Sequence, residues 1–130
     1  MKKLFSILFI FAIAAGVGFA QNNEANIYQS GNDNLGTTEQ TGSDHKVFIY
    51  QTGNNNEAEI EQTYDRNWAE VKQYNDENKV FIDQIYGSDN IAQIMQMGNQ
   101  EHTYFRQQGH ANIFRLKQEN GDNQVGGSPQ

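Results

Sequence analysis

Gln51-Thr52-Gly53-Asn54-Asn55-Asn56-Glu57-Ala58-Glu59-Ile60-Glu61-Gln62 holds one full cycle of a pattern that runs through the chain. From Asn56 to Gln62 the side chains alternate: Asn, Ala, Ile and Gln take every second place, and three glutamates fill the gaps. A period of two is the mark of a strand with one buried face, because successive Cβ atoms point to opposite sides. The four residues ahead of it, Thr52 to Asn55, are turn chemistry, since Gly and Asn accept backbone dihedrals that other residues resist.

Moving outward, a glutamine returns at Gln29, Gln40, Gln51, Gln62, Gln73, Gln84, Gln96, Gln107 and Gln118. The stride is eleven residues, except for twelve between Gln84 and Gln96. Self-similarity at a fixed period names a repeat architecture before any motif does. An eleven-residue period also suits a right-handed helical supercoil, but the unit lacks apolar residues at helical spacing. Units begin at Asn23, Asn34, His45, Asn56, Asn67, Asn78, Asn90, Glu101 and Asn112, and a truncated tenth begins at Asn123. Each predicts a strand of about seven residues and a turn of about four.

One such strand cannot bury its own apolar face. Stacked at about 4.8 Å, with two strands per coil, the units form two parallel sheets about 10 Å apart. The expected fold is therefore all-β, a β-solenoid of about five coils. Units at odd places in the series form one sheet and units at even places the other.

That register predicts the interior. Ile27, Ile49, Val71, Ile94 and Leu116 form an apolar column in the first sheet, and Ile60, Ile82 and Phe105 in the second. Ala25, Val47, Ala69, Ala92 and Phe114 form a neighbouring column of smaller residues. The nine glutamines form amide columns, one in each sheet. Asn23, Asn34, Asn56, Asn67, Asn78, Asn90 and Asn112 line the start of the strands. A buried amide is costly unless its donors and acceptors are used, and identical amides at strand spacing satisfy one another. These inward amides and aliphatics are the expected assembly ladder.

The chain has 130 residues. Lys2 and Lys3, the apolar run from Leu4 to Val17 and the small-residue end Gly18-Phe19-Ala20 predict a secretory signal peptide over residues 1–20. Residues 21–130 then form the repeat domain of ten strand–turn units, the last degenerate. That domain has seven basic against sixteen acidic side chains, a net −9, which disfavours nucleic acid and anionic lipid as partners. Absence of cysteine leaves no disulfide framework and no thiolate metal site. His45 starts a strand, His102 faces outward on another and His110 falls in a turn, so the three histidines do not converge on a metal or an acid–base pair. No nucleophile and base recur near a Gly-rich turn. No catalytic residue, cofactor, metal or small-molecule substrate is expected.

The half-repeat Q-x-G-x-x-N-x-A-x-x-x-Q is matched at every fixed place from Gln51 to Gln62. From Gln29 to Gln40 it is matched with Gly36 in place of the Ala, and looser copies run on to Gln118. In this the chain resembles the curlin repeat of curli fibre subunits. The resemblance covers essentially the whole repeat domain. It implies a secreted bacterial subunit that leaves through an outer-membrane export channel and polymerises on the cell surface. The product would be a functional amyloid fibre that supports adhesion and the biofilm matrix. Its partners would be further copies of itself and a related fibre subunit or nucleator. Two alternatives stay open: a minor nucleating subunit of the same fibre, and a solenoid adhesin that does not polymerise.

Overall fold

The computed structural model describes residues 22–120 and 124–127. The expected signal peptide, Asn123 and Pro129 lie outside the described residues. Ten strands follow in order: β1 (Glu24–Ser30), β2 (Leu35–Ser43), β3 (Lys46–Thr52), β4 (Glu57–Asp65), β5 (Trp68–Tyr74), β6 (Lys79–Gln84), β7 (Ile91–Gln96), β8 (His102–Gln107), β9 (Ile113–Gln118) and β10 (Gln124–Gly127). Among the described residues there is no helix.

Every strand pairs in parallel with the strand two places on, which produces one sheet ordered β1-β3-β5-β7-β9 and another ordered β10-β8-β6-β4-β2. The register is that of the repeat: Ile27 opposes Ile49, Ile49 opposes Val71, and Gln51 opposes Gln73. The fold is a β-solenoid of about five coils. Its alternation is visible in burial, since β3 and β5 to β7 bury every second side chain. Ile49, Ala58, Ala69, Val71, Val80, Ile82, Ala92 and Phe105 are sealed off from solvent. Ile27, Phe114 and Leu116, in the two end coils, are only partly covered.

One or two residues per arc adopt left-handed backbone, and this is what turns the chain between sheets. Asp33, Asp44, Asn55, Arg66, Glu77, Asp89, Gln100 and Ala111, each just before a new unit, have φ between 53° and 62°. The other left-handed place falls two residues after the glutamine, at Gly31, Gly42 and Gly53, where φ reaches 114° to 122°. A Cβ on Gly53 would lie 1.9 Å from the carbonyl oxygen of Asn75 in the next coil. Glycine is therefore needed there for close stacking as well as for its dihedrals.

β2 and β4 run two residues past the expected length, because Gly42 pairs with Tyr64 and Ser43 with Asp65 and prolong the ladder. The twelve-residue unit departs from the others just after β6. Ile85 N–H donates to the Gln107 carbonyl, and Gly109 N–H donates to the Tyr86 carbonyl, so Ile85 and Tyr86 together oppose Gln108. The extra residue is absorbed as a bulge, and the register is restored by Asn90, whose N–H meets Asn67 Oδ1.

Candidate functional site

The interior amides are the most organised chemistry in the molecule. Along the first sheet Gln29 donates from Nε2 to Gln51 Oε1 at 2.6 Å, Gln51 to Gln73 at 2.8 Å, Gln73 to Gln96 at 3.0 Å and Gln96 to Gln118 at 3.1 Å. Along the second, Gln40 donates to Gln62 at 3.0 Å, Gln62 to Gln84 at 2.7 Å and Gln84 to Gln107 at 2.7 Å. All seven bonds point from the earlier coil to the later one.

The second Nε2 hydrogen crosses the core. Gln51 reaches the Leu35 carbonyl at 2.9 Å, Gln73 that of Glu57 at 2.9 Å, Gln84 that of Trp68 at 3.1 Å and Gln107 that of Ile91 at 3.0 Å. Both amide hydrogens are thereby used. The seven glutamines from Gln51 to Gln118 are buried, whereas Gln29 and Gln40, in the first coil, are half-buried.

The asparagines make a different ladder. Each Oδ1 accepts the backbone N–H that opens the unit one coil later: Asn34 from Asn56, Asn56 from Asn78, Asn67 from Asn90 and Asn90 from Asn112. Each Nδ2 turns into an arc, as when Asn56 donates to the Asn75 carbonyl at 2.8 Å and Asn90 to that of Gly109 at 2.9 Å. Among the described unit-opening asparagines, only Asn56 Nδ2 also bonds along the stack to an asparagine oxygen, at 3.1 Å to Asn34. The shorter side chain sits where the strand begins, so its oxygen reaches the neighbouring backbone and its nitrogen stitches the turn. Asn56, Asn67, Asn78 and Asn90 are fully buried, and Asn23, Asn34 and Asn112, in the end coils, are half-buried.

Two units replace this asparagine. His45 is fully buried; its backbone N–H donates to Asn23 Oδ1 at 3.0 Å, and its Nδ1 accepts the Asn67 N–H at 3.3 Å. Its Nε2 lies 3.1 Å from the Thr41 carbonyl. That set demands a neutral ring with the proton on Nε2, so Nδ1 stands in for Oδ1 and Nε2–H for the amide NH₂. Glu101 is likewise buried and accepts the Gly98 N–H on Oε2 at 3.0 Å. Counting along the stride places both residues in the ladder. The carbonyls of the residue after each asparagine, which receive the cross-core bonds, have no signature in side-chain sequence.

The outer faces carry ordinary surface electrostatics. Glu57 pairs with Lys79 at 3.0 Å and Asp83 with Arg106 at 3.0 Å. Burial, followed by the nearby Asp83 and Glu39 carboxylates, holds the Glu61 carboxyl above the usual range. Burial also opposes the charge on Glu70, but hydrogen bonds from Lys72 and Gln93 outweigh it and hold that carboxyl below the usual range. His45, His102 and His110 do not meet, and among the described residues no cluster of His, Cys, Asp or Glu has the arrangement of a metal site.

The fold and ladders define a class: a parallel β-solenoid built from short strand–arc repeats, with amide stacks inside and two open ends. The family model of the curlin associated repeat matches residues 20–53 and 53–85. The chain belongs to the curlin repeat family. Strands beyond the matched span, β7 to β9, keep the same ladder register. No curated protein and no solved structure matches the chain. The family is structural rather than enzymatic, and the repeats and fold fit a curli-type fibre subunit.

Proposed function

We propose that the protein is a structural subunit of an extracellular, curli-like amyloid fibre, built by head-to-tail stacking of solenoids, that supports adhesion and the biofilm matrix. The observation that carries this reading is the common direction of the glutamine bonds. The first coil ends the ladder on the Oε1 atoms of Gln29 and Gln40. A second copy placed beyond β9 continues it, with Gln118 donating to Gln29 of that copy and Asn112 Oδ1 accepting the N–H of its Asn23. A head-to-head junction would set acceptors against acceptors. Such heterologous contacts do not close and so yield filaments. The first coil is also acidic, with Glu24, Asp33, Glu39 and Asp44 and no Lys or Arg, whereas Arg106, Arg115 and Lys117 gather at the other end.

Residues 1–20 act as the signal peptide in this reading, and 21–130 form the assembling repeat domain. Export through an outer-membrane channel and association with a related subunit complete it. Purified protein incubated at high concentration tests the assembly. The expected result is amyloid-dye fluorescence that existing fibres seed, and a meridional reflection at about 4.7–4.8 Å. Protein that stays monomeric, or fibres without that reflection, would overturn it.

A minor subunit at the fibre base is a second reading, favoured by β10. That strand places Gly127, which has no side chain, opposite Phe105 of the apolar column. Removal of the residues after Gln107 separates the two: loss of surface retention with assembly intact supports the minor role.

A further inference from the structure

Lys79 and Arg106 on the second sheet are paired with Glu57 and Asp83, and the charge left outside such pairs is opposite in sign on the two outer faces. On the second sheet Glu39, Glu59 and Glu61 are neighbours on adjoining strands, and among the described residues no cation is ion-paired to them. On the first sheet the outward charges are mostly basic: Lys46, Lys72, Arg115 and Lys117 against Glu24 and Glu70. Lys72 is held by Glu70 at 2.6 Å and Lys117 by Glu119 at 2.5 Å, whereas Lys46 and Arg115 have no ion pair among the described residues. That face also presents Tyr28 at 57% and Ile113 at 59% exposure, with Trp68 between them. The arcs along the two edges are acidic, with Asp33, Asp44, Asp65, Asp76 and Glu77 against Arg66.

We propose that the basic, aromatic first-sheet face of one solenoid docks on the acidic second-sheet face of a second copy, so that filaments pack side by side through unlike faces. The charges select this occupant. Like faces would oppose rows of the same sign, and edge-to-edge packing would oppose acidic arcs. The proposal rests on the stacking reading, because a filament repeats the pattern about every five rungs, roughly 24 Å, and many weak pairs then act together. Unlike faces leave a fresh face of each type after every addition, so lateral growth stays open and makes ribbons. Self-pairing of the aromatic first-sheet face would stop at doublets.

Electron microscopy of the purified protein tests this, with sedimented fibre mass measured in parallel. The expected result is ribbons many filaments wide at low salt. At about 1 M salt, where screening acts beyond about 3 Å, they separate into single filaments with fibre mass unchanged. Lys46→Glu combined with Arg115→Glu is expected to give single filaments at low salt. Glu59→Gln combined with Glu61→Gln is expected to narrow the ribbons while fibre mass is kept or raised, because like charges leave the sheet. Doublets that survive high salt, or ribbons of unchanged width in either double variant, would overturn the docking and leave stacking intact. Absence of any filament would overturn stacking and the docking with it.

Discussion

His45 shows how one residue satisfies a repeat that was written for another. Its ring reproduces the two hydrogen bonds of an asparagine, accepting from the Asn67 N–H and donating to the Thr41 carbonyl. His45→Asn is therefore expected to change stability by less than about 1 kcal/mol. His45→Ala should cost about 2–4 kcal/mol, since it opens a cavity and orphans a buried N–H. Chemical denaturation of the soluble protein measures both, and nitrogen chemical shifts of the ring should report the Nε2–H form. Glu61 makes the opposite case, a residue the repeat tolerates at a cost. Its carboxyl is raised by burial and by its acidic neighbours, so the folded state binds that proton more tightly than the unfolded chain. Its favourable contribution is complete below the ordinary glutamate range and is lost as pH rises through the raised value. Glu61→Gln should stabilise the protein at neutral pH by about 0.2–1 kcal/mol, and the gain over wild type should vanish in acid. A gain that grew on acidification would contradict the assignment.

A strand of this solenoid is stable only through its rungs. Gln73 sits in the middle of the first-sheet ladder, accepting from Gln51 and donating to Gln96 and to the Glu57 carbonyl. Gln73→Ala leaves two amides short of a partner and opens a cavity, so a loss of about 2–4 kcal/mol is expected. The same substitution at half-buried Gln29 should cost clearly less, and thermal or denaturant unfolding of the two variants compares them. The arcs are as exacting as the strands. Gly53→Ala meets both an unfavourable φ of 122° and the Asn75 carbonyl. It should lose at least about 2 kcal/mol, whereas Asn54→Ala, which gives up the Nδ2 bond to Asp76 and the exposed bonds its Oδ1 accepts from Asn32 but keeps its backbone bond to Asp76, should lose less.

At the scale of the whole molecule, each coil touches only the coils before and after it, so stability is close to a sum of coil and interface terms. Inner coils have two neighbours and end coils one. Amide hydrogen exchange of the monomer should accordingly be slowest in β4 to β7 and fastest in β1 and β10, with the end strands opening by themselves. In fibres β1 should become protected, because another copy covers it. Uniform protection across the monomer, or no gain at β1 in fibres, would count against the stacking geometry. The two ends also differ in chemistry, as the ladder begins on acceptors in the first coil and points its donors toward the last. Growth watched on single fibres should run at unequal rates at the two ends.

The alternation from Asn56 to Gln62 and the glutamine stride were enough to determine the strand class, the parallel two-sheet stack and the register. These are consequences of periodicity: a one-residue slip would turn every apolar residue to water. The family was legible for the same reason, since its signature is the stride itself. Tertiary structure alone decided where the second amide hydrogen goes, because the Leu35, Glu57 and Trp68 carbonyls that receive it belong to the opposite sheet. It also separated the asparagines, whose oxygens cap backbone N–H groups, from the glutamines, whose amides bond to each other. One methylene and a place at the strand's start make that difference, and composition does not encode it. The bulge at Ile85 and Tyr86 was likewise a three-dimensional matter: an extra residue can be spent anywhere in an arc, and neighbouring coils on both sides determine where it fits.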